Sequence, residues 1–111
     1  MVGIADLRKI VRGVIETYAQ YKPSNGDVRI EIIIDESQGH YELMHLGWDD
    51  TRRIHGAVIH IDLIDDKVWI QHDGTSYGIA LELEEAGIPK EQIVPAYKPP
   101  SVRELMGYAA A

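Results

Sequence analysis

The sequence predicts an α+β domain: an N-terminal helix, a four-stranded antiparallel meander, then two or three C-terminal helices. Three observations carry this. A 3.6-residue apolar stripe opens the chain. Runs rich in Ile, Val and Trp, punctuated by polar turn residues, fill its middle. Helix-terminating Gly and Pro mark its last third. At 111 residues the whole chain, 1–111, suits one domain.

In the first helix, Ile4 to Gln20, Leu7, Val11, Val14, Ile15 and Tyr18 recur at three- and four-residue steps and share one stripe. Asp6 lies near the positive end of its dipole. Pro23 to Asp27 ends the helix in a turn. Val28 to Asp35 is the first strand, Glu36 to Gly39 a loop, and His40 to Trp48 the second strand. Asp49 to Arg52 turns the chain into its central feature, a hairpin from Arg53 to Gly74 with Asp65-Asp66 at the tip. A two-residue turn sets the register. Ile64 then faces Lys67, Leu63 faces Val68, Ile61 faces Ile70 and Ile59 faces His72 on a nearly apolar face. Asp62 opposite Trp69 and His60 opposite Gln71 mark the other, polar face. With a two- or four-residue turn before the hairpin, Met44 and Leu46 join the face of Ala57, Ile59 and Ile61, while Tyr41, Leu43 and His45 join Val58 and His60; a three-residue turn reverses this. The helix from Thr75 to Gly87 has Thr75 or Ser76 as cap and Ile79, Leu83 and Ala86 inward. Pro89 to Ile93 is a short helical turn, and Pro95 to Pro100 an extended connector. Ser101 to Glu104 reads as a capping box for a last helix, Val102 to Ala109.

The net charge of −7, from 11 Lys plus Arg against 18 Asp plus Glu, disfavours direct contact with DNA. The absence of cysteine excludes disulfides and thiolate metal sites. A cytoplasmic protein without a membrane segment is expected, because no apolar run approaches the roughly 20 residues that span a bilayer and the N-terminus lacks a secretory pattern.

His60-Ile61-Asp62 and Gln71-His72-Asp73 invite a metal, but the register puts His60 and His72 on opposite sides of the sheet, so no metal or other cofactor is expected. Asp65-Asp66-Lys67 resembles half of a nuclease motif, yet it is a hairpin tip where Asp is ordinary turn chemistry. Arg52-Arg53 and Lys67 lie among Asp49, Asp50, Asp65 and Asp66, which cancel much of their field. No catalytic residue is assigned. Trp69 on a mixed polar face is an interface anchor, with His60, Gln71, Val58, Leu43 and Tyr41 around it.

The runs YAQYKPSNGD (Tyr18 to Asp27), GWDDTRRIHGAVIHIDLIDDKVWIQHDGT (Gly47 to Thr75) and GIALELEEAGIPKEQIV (Gly78 to Val94) resemble the XisI family, the element excision controlling factors of cyanobacteria. The resemblance implies a role in site-specific excision of the fdxN DNA element during heterocyst differentiation. It also implies a nuclease-like companion, XisH, with DNA reached only indirectly. A non-enzymatic accessory protein, alone or as a homodimer, is the expectation. The alternatives are a small acidic enzyme using His60, Asp62 and His72, or an antitoxin-like inhibitor of the nuclease partner.

Overall fold

The computed structural model describes residues 1–21, 23 and 26–111. Helix α1 spans Ile4–Tyr18, and its Leu7, Val11, Val14 and Ile15 are the buried stripe the spacing requires. Strands β1 (Asp27–Asp35), β2 (His40–Asp49), β3 (Arg52–Ile64) and β4 (Lys67–Asp73) follow as an antiparallel meander. Helix α2 (Ile79–Glu85), a 3-10 turn at Lys90–Gln92, strand β5 (Ile93–Pro95) and helix α3 (Pro100–Leu105) complete the chain. The turn assigned to residues 23–27 includes Ser24 and Asn25, which lie outside the described residues.

The sheet has five strands in the order β1-β2-β3-β4-β5, and it is mixed: β5 runs parallel to β4. This corrects the four-stranded, wholly antiparallel expectation. Ile93, Val94 and Pro95 are all buried, and the Ala96 amide donates to Ile70 O at 2.9 Å. Three residues ending in Pro are too short to show alternation, so only tertiary pairing reveals the strand.

One sheet face is core. Tyr41, Leu43, Ile59, Ile61, Val68 and Ile70 meet α1 and Ile79, Ala80 and Leu83 of α2. Each fully buried aliphatic side chain there contributes about 1.5–3 kcal/mol from area removed from water. The turn at Asp65-Asp66 forms as expected, with both residues left-handed, φ 51° and 61°, the signature of a type I′ hairpin. The register matches expectation at Ile61↔Ile70, Asp62↔Trp69, Leu63↔Val68 and Ile64↔Lys67. Beyond Ile61 it slips: His60 pairs with His72 and Ile59 with Asp73, leaving Gln71 as a bulge.

A second bulge is more consequential. Leu43 pairs with Ile59 but Met44 pairs with Ala57, so Val58 has no partner across the ladder. Upstream of it the faces exchange. Tyr41 and Leu43, expected on the open face, lie in the core at 0% and 1% exposure. Val58 also packs against the core cluster. The interface group of Trp69, His60, Gln71, Val58, Leu43 and Tyr41 therefore loses its last three members from the open face. A side chain's face follows strict period-two alternation only where no residue is inserted.

The C-terminal helix begins at Pro100, with Pro99 as its cap and no side-chain capping bond. Proline's preference for the first helical turn overrides the Ser101 capping box. In α2 neither Thr75 nor Ser76 is the cap residue; Gly78 is. Asp73 Oδ2 accepts from the Ile79 amide at 2.8 Å and Thr75 Oγ1 from the Gly78 amide at 3.2 Å, which serves the same orphan donors.

Candidate functional site

The open face of the sheet carries a compact polar group at the junction of β2 and β3. Cross-strand pairing sets His40 opposite Asp62 and Glu42 opposite His60, so the four side chains form a square on adjacent strands. Gly39 allows this. Its φ is 63°, and a Cβ there would lie 2.7 Å from Leu63 O, so only glycine lets β2 start so close to β3. The Leu63 amide donates to Gly39 O at 2.7 Å and locks the approach.

His40 is held at both ring nitrogens. Nδ1 lies 3.0 Å from Asp62 Oδ1 and Nε2 lies 2.9 Å from Glu42 Oε2. Glu42, then Asp62, raises the His40 pKa above its ordinary value, against an opposing effect of burial, because an imidazolium donates to both carboxylates. His60 Nε2 lies 3.3 Å from the same Asp62 oxygen, and the two imidazoles meet edge to face with centroids 4.7 Å apart. Gln71, displaced by its bulge, donates from Nε2 to Asp62 Oδ2 at 3.1 Å. All four side chains of the square are partly exposed, between 21% and 31%. One donor atom each from His40, His60 and Asp62 lies within 4.8 Å of the others.

Of the residues singled out from sequence, His60, Asp62 and Gln71 come together. Trp69 sits opposite Asp62 on β4, half-buried, with the Arg103 guanidinium 5.8 Å from its ring centre. Part of its cover is therefore internal. His72 is paired across the ladder with His60, which corrects the expectation that the two lie on opposite faces; it is exposed and outside the cluster. The basic pair is engaged locally: Arg52 meets Asp49 at 3.5 Å and Arg53 lies over Trp48 at 5.4 Å. Asp65-Asp66-Lys67 is the hairpin tip.

His40 and Glu42 were missed. The signal was present as H-x-E on β2 and H-x-D on β3, two alternating pairs. Without the Val58 bulge those pairs fall on opposite faces, and the match is lost.

A family model described as XisI protein matches residues 1–110. Among solved structures, a XisI-like protein from Anabaena variabilis ATCC 29413 is 33% identical, with a TM-score of 0.91, covering 98% of this chain and 100% of that one. The fdxN element excision controlling factor XisI from the same organism is 28% identical, with a TM-score of 0.84, covering 97% and 98% respectively. No curated protein matches the chain.

Proposed function

The chain belongs to the XisI family, and from that premise we propose that it is a non-enzymatic controlling factor for excision of a DNA element, acting through a nuclease-like partner of the XisH type. The observation that carries the reading is the near full-length match to a protein described as an excision controlling factor. Two features of the chain support action through a partner. Its net charge of −7 suits a basic nucleic-acid-binding surface better than DNA itself. The sheet face opposite α1 and α2 carries Trp69, partly open, beside the His40–His60 group, a mixed aromatic and polar surface of the kind that anchors interfaces. An acidic protein covering a cleft can inhibit as readily as it can position, so the inhibitor reading belongs to the same proposal.

The test is co-expression with the companion, co-purification, and a DNA-cleavage assay with and without this chain. A stable complex whose cleavage activity differs from that of the companion alone supports the proposal. Absence of a complex at micromolar concentrations, or unchanged cleavage, refutes it. The convergence of His60 and Asp62 favours a small enzyme as the second reading, with His40 in place of His72. Turnover by the isolated chain that disappears in His60→Gln would establish it.

A further inference from the structure

We propose that His40, His60 and Asp62 form a binding site for a divalent transition ion of the zinc class, with Glu42 and Gln71 as its supporting shell. The donor set is two imidazoles and one carboxylate, which suits Zn²⁺, Co²⁺ or Ni²⁺ rather than Mg²⁺ or Ca²⁺. The spacing is already close to what such an ion requires. Metal–ligand bonds of about 2.1 Å in a tetrahedron place donor atoms about 3.4 Å apart. Asp62 Oδ1 lies 3.0 Å from His40 Nδ1 and 3.3 Å from His60 Nε2. A donor from each of the three lies within 4.8 Å of the others, a gap that small rotations of two partly exposed rings close.

The groups that hold the ligands separate this arrangement from an ordinary surface ion-pair cluster. A metal-bound histidine usually gives its remaining ring N–H to a carboxylate, which fixes its orientation and tautomer. Glu42 Oε2 occupies that position, 2.9 Å from His40 Nε2, leaving Nδ1 to face Asp62. A ligating carboxylate is likewise held through its other oxygen. Gln71 does this at 3.1 Å from Asp62 Oδ2, from the position its bulge creates. The ligands project from β2 and β3, adjacent strands inside the sheet with neighbours on both sides, so the scaffold is rigid. With three protein ligands, at least one coordination position is left on the open face. This inference rests on local geometry and is independent of the excision reading.

The experiment uses the full chain without a purification tag, freed of metal by a chelator. Zn²⁺ is titrated calorimetrically, and Co²⁺ is titrated while its visible absorption and its paramagnetic broadening of histidine proton resonances are followed. One equivalent of each ion is expected to bind, with broadening centred on His40 and His60. His60→Gln and Asp62→Asn are expected to weaken binding by about 100-fold or more. Glu42→Gln, which keeps the donors of His40, His60 and Asp62, is expected to weaken it by about 10- to 100-fold. His72→Gln is expected to bind as the parent does. Circular dichroism checks the fold of each variant, and the Co²⁺ broadening pattern of the parent stands whether or not a variant folds. Absence of a stoichiometric site, broadening centred on other histidines, or binding that survives His60→Gln and Asp62→Asn would overturn the assignment.

Discussion

Replacing Asp66 by glycine should stabilise the protein. Asp66 is the second of two consecutive left-handed residues at the β3–β4 turn, with φ 61°. A residue with a Cβ pays about 1–2 kcal/mol in that region, Asp somewhat less because it tolerates the conformation. Glycine pays nothing in the fold but loses more freedom on folding, an opposing cost of about 0.5–1 kcal/mol. The Asp66 side chain is exposed. Its backbone carbonyl accepts from Gln92 Nε2 at 2.9 Å, a bond that survives the substitution. The balance is a net gain of about 0.5 kcal/mol. For a domain of this size that raises Tm by about 2 °C. Asp66→Val is the opposite control, since a β-branched residue at positive φ is the worst fit, and it should lower Tm by several times that shift. Thermal and urea unfolding measure both, with the urea slope expected to be unchanged. A lower Tm for Asp66→Gly, or an Asp66→Val variant as stable as the parent, would refute the strain argument.

Two further outcomes are expected. Gln92 is 1% exposed, and its amide accepts from the Val2 amide at 2.7 Å while donating to Val2 O and Asp66 O at 2.9 Å each; Gln92→Ala should cost about 3 kcal/mol in urea unfolding and loosen the N-terminus, and a cost below about 1 kcal/mol would show that the clamp contributes little. The Tyr18 phenol is pushed up to about 12, first by burial and then by its hydrogen bond to Glu82. Its neutral form is thus favoured by folding, so the stability it contributes is complete below the unfolded value near 10 and is lost as pH rises from there to about 12. Tyr18→Phe should flatten that part of the alkaline unfolding profile, and an unchanged profile would remove Tyr18 as its cause.

What was legible in the sequence was what depends on local pattern. The stripe Leu7, Val11, Val14, Ile15 is buried as its spacing demands, because helix periodicity needs no partner to be read. The hairpin was legible from its tip outward, since a two-residue turn dictates every pair until something interrupts the ladder. A bulge at Gln71 interrupts it, and a second at Val58 interrupts the neighbouring β2–β3 ladder; no residue type announces a bulge. Half of the expected open-face group was misplaced for that reason alone. Strand β5 was hidden for another: its parallel partner lies more than twenty residues upstream, and its three residues carry no alternation of their own.

The Val58 bulge has an energetic logic that links the core to the polar square. Uninterrupted pairing from Asp49↔Arg52 would set Glu42 opposite Ile59 and His40 opposite Ile61. Each row would then mix charge with hydrocarbon. Either Glu42 and His40 would enter the core, at several kcal/mol per ion, or Ile59 and Ile61, both now 0% exposed, would face water and forfeit about 1.5–3 kcal/mol each. One inserted residue removes the conflict at the expense of a ladder hydrogen bond worth about 0.5–1.5 kcal/mol, while on its other edge β3 keeps its bond from the Gly74 amide to Val58 O at 2.7 Å. The bulge is therefore the cheaper solution by a wide margin. The same slip that returns the isoleucines to the core places Glu42 across from His60 and His40 across from Asp62. The core thereby dictates the register that assembles the site.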